Sequence, residues 1–223
     1  MRFRIVSLGC PKNLVESEYM VGRLCSAGHT VSDDGDTIIV NTCAFIAEAA
    51  RESIETILEA AREPGRKVVV TGCLVERYGE ELAGLLPEVD AFVGRSRYGE
   101  IERVIGKSGL HLGKGGFSET FPRQVLTKPP TAYLKIQEGC DNRCRYCTIP
   151  AIRGGLTSRA EKDVIGEFRW LLDQGYREIN VIGQDITSYG KDAGREQGLT
   201  GLIRSLLKEK GDWHLRLLYM HPK

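Results

Sequence analysis

Thr37-Ile38-Ile39-Val40-Asn41-Thr42-Cys43 starts as an unbroken β-branched run and ends on two polar residues and a thiol. Residues 37–40 have the length and side-chain type of a buried strand. Directly behind, from Phe45 to Arg62, Ile46, Ala50, Ile54, Ile57, Leu58 and Ala61 recur at helical spacing, which predicts a long amphipathic helix with that face inward. The same order repeats on both sides. Upstream, Phe3 to Leu8 reads as a strand closed by Gly9, and Asn13 to Ala27 as a helix with Leu14, Val21 and Leu24 on one face and Gly28 as its stop. Downstream come a strand at Lys67 to Val70, a helix at Leu74 to Leu86, a short strand at Ala91 to Val93 and a last helical segment at Tyr98 to Ile105. Strands that alternate with helices pair in parallel through right-handed crossovers, so residues 1–105 are expected to form an open parallel α/β sheet.

On that scheme Cys10 follows the first strand, Cys43 the second and Cys73 the third, at separations of 33 and 30 residues, about one βαβ unit each. Each thiol falls at a strand's carboxyl end, the edge where open α/β folds bind ligands. Three thiolates leave one position vacant on a tetrahedral metal or on a cubane cluster, and an open position is what chemistry requires. The alternative is three small hydrophobes in buried loops, since free cysteine is among the most buried residue types. Cys25, beside Val21 and Leu24, reads as a core cysteine.

Composition narrows the remaining classes. The 223 residues suit one large domain or two small ones. Lys plus Arg is 31 against 30 for Asp plus Glu, so a formal charge of +1 gives no broad attraction to nucleic acid or anionic membrane. Hydrophobic content of 41% without a long apolar run argues against a membrane span and against disorder. The opening Met1 to Cys10 carries two arginines and an apolar run, but Ile5 to Leu8 is shorter than the roughly 7–15 residues of a signal-peptide core, and a cytoplasmic location is expected. In a reducing compartment an odd number of cysteines, seven, points to metal or redox chemistry rather than disulfides.

Residues 106–130 change character. Glycines crowd Gly106 to Gly116, and Lys128-Pro129-Pro130 closes the stretch, which reads as a linker. Gly113-Lys114-Gly115-Gly116 lacks the spacing of a phosphate loop, so flexible connection is the favoured reading. Beyond it, strands are expected at Ala132 to Gln137, Glu178 to Ile182 and Leu215 to Met220, with a helix at Asp163 to Leu172 ended by Gly175. The first of these strands runs into Glu138-Gly139-Cys140-Asp141-Asn142-Arg143-Cys144-Arg145-Tyr146-Cys147, whose spacing brings three sulfurs to one side of a compact loop. A zinc knuckle would need a fourth ligand, and His111 and His214 are remote in sequence.

Cys140-x3-Cys144-x2-Cys147, with Tyr146 before the last cysteine, resembles the signature of radical S-adenosylmethionine enzymes. Gly9-Cys10-Pro11-Lys12-Asn13, Asn41-Thr42-Cys43-Ala44-Phe45-Ile46, Thr71-Gly72-Cys73-Leu74, Pro87-Glu88-Val89-Asp90 and Tyr133 to Cys140 together resemble the methylthiotransferases. Pro11-Lys12 and Phe45-Ile46 look like the RimO type, which modifies a ribosomal protein, whereas tRNA-modifying relatives usually carry Gln-Met-Asn after the first cysteine. The resemblance implies two 4Fe-4S clusters, with Cys140, Cys144 and Cys147 matching the ligands of the radical cluster and Cys10, Cys43 and Cys73 those of an auxiliary one. It implies chelation of S-adenosylmethionine at the first cluster and its one-electron cleavage to a deoxyadenosyl radical. Sulfur would be held at the second cluster, and the acceptor would be the β-carbon of an aspartate in small-subunit ribosomal protein S-twelve. A low-potential donor such as flavodoxin or ferredoxin is the implied source of electrons. A tRNA methylthiotransferase, or an inactive iron–sulfur-binding fragment, is the alternative.

The expected architecture is therefore α/β, with an N-terminal open parallel sheet (1–105), a linker (106–130) and an incomplete radical (β/α) partial barrel (131–223). Three strands in the last part fall short of the roughly six strand–helix units of the family, so a truncated or split form is expected; in a split form the missing C-terminal half would be a separate chain. Tyr146, Gln184 and Arg153 are the cofactor-side candidates: Arg153-Gly154-Gly155 follows the cluster loop as in the family, and Gln184 falls at the catalytic edge after a strand. Arg153 and Arg159 either contact carboxylates or lie in a solvated loop. His221 reads as incidental.

Overall fold

A computed structural model describes residues 1–113 and 122–222, which fall into two compact units, 1–124 and 125–223. Lys114, Gly115 and Gly116 of the weak phosphate-loop match lie outside the described residues.

The first unit runs β1 (Arg2–Ser7), α1 (Pro11–Ser26), β2 (Thr30–Val31), β3 (Thr37–Thr42), α2 (Ala47–Ala61), β4 (Lys67–Gly72), α3 (Cys73–Leu85), β5 (Ala91–Val93), a 3-10 turn (Arg95–Glu100), α4 (Ile101–Val104) and β6 (Gly109–His111). Its six strands are all parallel, in the order β2-β1-β3-β4-β5-β6. β3 lies at the centre with every residue buried, which is why its sequence shows no polar alternation.

The registers place the cysteines. Ser7 pairs with Asn41, Asn41 with Thr71 and Thr42 with Gly72, so β1, β3 and β4 finish nearly flush. Adjacent strands lie about 4.8 Å apart, and the first residues past those ends, Cys43 and Cys73, are therefore neighbours on one edge. Leu8 continues the ladder by donating its N–H to the Asn41 carbonyl at 2.9 Å. Pro11 then opens α1, where a missing N–H costs nothing, with Cys10 as the N-cap residue.

Several expectations change. Gly109–His111, inside the stretch expected to be a linker, is the sixth strand, paired Ala91 to Gly109. The inward face of α2 is Ser53, Ile57 and Ala60, while Ile46 and Ile54 are exposed. Cys25 is only half-buried and donates to Gln124 Oε1 at 3.5 Å, so it is not a core cysteine. Tyr98 to Ile105 divides into the 3-10 turn and α4.

The second unit contains β7 (Thr131–Lys135), β8 (Gln137–Glu138), α5 (Ile149–Arg153), β9 (Thr157–Ser158), α6 (Glu161–Asp173), β10 (Glu178–Ile182), a 3-10 turn (Ile186–Ser188), α7 (Gly198–Leu206) and β11 (His214–Leu217). β7, β10 and β11 form a parallel sheet in the order β11-β10-β7, with Glu178 paired to Thr131 and to His214. Ala132, Leu134, Ile179 and Val181 pack against Val164, Phe168 and Leu171 of α6 and Leu202 and Leu206 of α7. The expected strand from Ala132 to Gln137 is broken at Ile136, which donates to the Ile182 carbonyl at 3.0 Å before β8 turns away to pair antiparallel with β9.

Candidate functional site: two groups of three cysteines

All seven cysteines are free thiols. In the first unit Cys10 is half-buried, and Cys43 and Cys73 are buried. Gly9 takes φ +81°, and a Cβ built on it would lie 2.7 Å from Cys43 Sγ, so the residue before Cys10 rests directly on Cys43. Gly72 takes φ +96°, and a Cβ there would overlap the Asn41 carboxamide and the Thr42 carbonyl. Both positions need glycine for the backbone conformation and for close approach. Ser53 of α2 fixes the Cys43 backbone from the other side: its Oγ accepts from the Cys43 N–H at 3.0 Å and donates to the Cys43 carbonyl at 2.9 Å. Cys10 and Cys73 stand at the N-terminal ends of α1 and α3.

In the second unit the loop 139–148 carries Cys140, Cys144 and Cys147, all half-buried. Its base is closed by Gly139, at φ +68°, whose Cα packs on the carbonyls of Gly154 and Gly155, and by the Cys140 N–H donating to the Gly154 carbonyl at 3.2 Å. The Cys147 N–H donates to the Cys144 carbonyl at 3.0 Å. Asn142 Nδ2 donates to Asp185 Oδ2 at 2.7 Å, and the Leu156 N–H to Asp141 Oδ1 at 3.1 Å. Burial pushes the Cys140 thiol up from its ordinary value; the Asn142 N–H opposes this, while the charges of Asp185, Cys147 and Cys144 add to it.

Beside this loop, Glu138 is a buried carboxylate held by Lys135 Nζ at 2.9 Å, by Arg153 Nη1 at 3.1 Å and by Gln184 Nε2 at 2.6 Å. Arg153 and Arg159 are both buried on carboxylates of this chain, Arg159 pairing with Glu167 at 2.5 Å, so neither lies in a solvated loop. Gln184 stands just past the end of β10 as expected, and Tyr146 is 84% exposed. His221 donates its backbone N–H to Asp185 at 3.3 Å. Sequence reading missed Asn13, Glu138, Asp185 and Asn142, whose roles rest on partners far away in the chain.

Among the described residues no three Cys, His, Asp or Glu groups are gathered around a point where one metal ion would sit. Ligands sharing one tetrahedral ion with metal–sulfur bonds of about 2.3 Å lie roughly 3.8 Å apart, whereas thiolates on separate iron corners of a cubane are set wider. Three thiols are the donor set that would suit a cubane with one open corner.

The fold resembles that of two S-adenosylmethionine radical enzymes. It superposes on the radical methyltransferase TsrM from Kitasatospora setae with a TM-score of 0.60 at 14% identity, over 93% of this chain and 51% of that one. It superposes on the cobalamin-dependent radical enzyme OxsB with a TM-score of 0.63 at 11% identity, over 96% of this chain and 38% of that one. Residues 2–94 match the family described as Uncharacterized protein family UPF0004. Proteins named ribosomal protein uS12 methylthiotransferase RimO align along the whole chain. The one from Pelotomaculum thermopropionicum is 44% identical over 100% of this chain and 53% of its own length. The corresponding figures are 47%, 98% and 52% in Geobacter sulfurreducens and 45%, 100% and 50% in Aquifex aeolicus. The chain is similar along its whole length to these methylthiotransferases and spans about half the length of these curated relatives. Among the described residues no helix is long and apolar enough to cross a membrane.

Proposed function

We propose that this chain carries the two cluster-binding parts of a methylthiotransferase that places a methylthio group on the β-carbon of an aspartate in a small-subunit ribosomal protein. The observation that carries the reading is the flush ending of β1, β3 and β4 under Cys10, Cys43 and Cys73, alongside a separate loop with Cys140, Cys144 and Cys147. Each trio would hold a 4Fe-4S cluster by three corners. When bound, the clusters supply one-electron reduction of S-adenosylmethionine at one site and a holding point for sulfur at the other.

This chain's own residues position those groups. Ser53, Gly9 and Gly72 set the spacing of the first trio, and Asp185 holds the Cys140–Cys147 loop through Asn142. Arg153 and Gln184 converge on Glu138 next to that loop, where they would border the methionine end of the cofactor. A low-potential flavodoxin or ferredoxin would deliver the electron, in a cytoplasmic setting.

Anaerobic reconstitution with an iron and sulfide count tests the reading. About eight irons per chain are expected, falling to about four when Cys10, Cys43 and Cys73 are all changed to alanine. Deoxyadenosine should form from S-adenosylmethionine after reduction, and purified ribosomal protein, not tRNA, should gain the methylthio group. Iron at four per chain with all cysteines present would overturn the two-cluster reading, and modification of tRNA alone would overturn the acceptor.

A further inference from the structure

Asn13 lies at the point where the three thiol-bearing loops of the first unit meet. It sits in the first turn of α1 and is fully buried. Its Nδ2 donates to the Leu8 carbonyl at 3.1 Å, two residues before Cys10, and to the Thr42 carbonyl at 2.7 Å, one residue before Cys43. Its Oδ1 faces Cys73 Sγ at 3.6 Å. Its backbone carbonyl accepts from Asn41 Nδ2 at 2.8 Å, which ties the same turn to the end of β3. One carboxamide therefore touches the segments that carry all three thiols, which are otherwise 33 and 30 residues apart in the chain.

We propose that Asn13 is the positioning residue of the first trio: its carboxamide sets the distances among Cys10, Cys43 and Cys73 and so determines whether they can share a cluster. The proposal rests on the cluster reading above. The chemistry demands this side chain. Two carbonyl oxygens at hydrogen-bond distance require two N–H donors on one atom, while Oδ1 accepts from the Cys73 S–H, a bond that is given up when that sulfur is deprotonated to bind iron. Aspartate has the same shape and no donors; it would set an oxygen against two carbonyls and push the Cys10 and Cys43 loops apart. Alanine would leave both buried carbonyls without this partner. Outer groups that orient metal ligands commonly alter metal affinity by about 10–100-fold when removed, and Asn13 reaches two of the ligand loops through their backbones.

The test uses the full chain with Cys140, Cys144 and Cys147 changed to alanine, so that iron reports on the first trio alone. Asn13→Asp and Asn13→Ala are compared with Asp90→Ala, which removes a carboxylate that accepts from the Val68 N–H at 2.8 Å near the opposite ends of the strands. After anaerobic loading, iron is titrated with a chelator and the reduced cluster is read by electron paramagnetic resonance. Both Asn13 variants should release iron at about ten-fold less chelator with an altered resonance, and Asp90→Ala should behave as the parent does. Equal retention by the Asn13 variants, or equal loss by Asp90→Ala, would overturn the positioning role while leaving the cluster reading intact. Failure of the parent itself to take up iron would overturn the cluster reading, and the role of Asn13 with it. Should Asn13→Ala not fold, the isosteric aspartate decides the matter alone.

Discussion

Gln184 Nε2 donates to Glu138 Oε1 at 2.6 Å, joining the residue just beyond β10 to the last residue of β8, immediately before the cysteine loop. Glu138 also binds Lys135 and Arg153, so one buried carboxylate gathers two cations and an amide at the base of the loop. Removing it takes the shared counter-charge from both cations. Glu138→Ala should cost about 3–5 kcal/mol in denaturant unfolding, the range found when one partner of a buried ion pair is deleted. The companion Gln184→Ala leaves the ion pairs in place and should cost only about 1 kcal/mol. Equal losses for the two variants would show that the charges are not what holds this junction.

Asp185 gives the second unit a pH dependence. Burial pushes its carboxyl up, but hydrogen bonds from Thr187, Asn142 and Ser188 outweigh that and leave it below its ordinary value near 3.8. A carboxylate lowered in the folded state stabilises it above the unfolded value, and that contribution disappears as pH falls through the folded one. Denaturant midpoints of the thiol-form chain and of Asp185→Asn should therefore differ by a constant amount from neutral pH down to about 5, then converge below about 4. A difference that persists undiminished at pH 3 would remove Asp185 from the set of groups behind the acid transition.

Ser53 offers a test in the first unit. It is the buried polar residue on α2 that both accepts from and donates to the Cys43 backbone. Ser53→Ala leaves the Cys43 N–H without this acceptor, and the expected destabilisation is about 1–3 kcal/mol. Ser53→Thr, which keeps the hydroxyl, should recover most of it unless the added methyl clashes.

Local periodicity reached the strands and helices because β3, β4, α1 and α3 bury their apolar residues as their patterns demand. It failed where tertiary contact decides. β6 is only Gly109-Leu110-His111, too short for alternation, and exists because Ala91, Phe92 and Val93 offer an edge to pair with. Over Phe45 to Arg62 the apolar stripe suggested Ile46 and Ile54 as inward positions, but the buried face of α2 is Ser53, Ile57 and Ala60, with Ser53 bonded to the Cys43 backbone, and both isoleucines are exposed, Ile46 as the N-cap residue. The α7 pattern, Leu199, Leu202, Ile203 and Leu206, was hidden by Gly198 and Gly201, which lower helix propensity without preventing a packed helix. The two groups of cysteines were singled out by sequence position, Cys140, Cys144 and Cys147 within one short loop and Cys10, Cys43 and Cys73 each just past a strand. Asn13, Glu138 and Asp185 were not, since each also bonds a partner that lies 29, 46 or 43 residues away, at Thr42, Gln184 and Asn142, and no short window shows those contacts.

Two glycines separate conformational strain from close approach at the thiol edge. Gly28 follows α1 at φ +86° with nothing within 4 Å of where a Cβ would stand, whereas Gly9, at a similar φ of +81°, has Cys43 Cβ at 2.5 Å and Sγ at 2.7 Å in the way. Alanine at Gly28 meets only the left-handed penalty, about 1–2 kcal/mol, and should leave iron loading of the first trio unchanged. Alanine at Gly9 carries the same penalty and must also displace Cys43 or the Cys10 loop. Gly9→Ala should therefore be the less stable of the two by thermal unfolding and should lose iron from the first trio, reading out in the Cys140, Cys144, Cys147→Ala background. Equal stability and equal iron in the two variants would mean that the Cys10 and Cys43 loops are not in contact through Gly9, and the flush edge would lose its closest point of support.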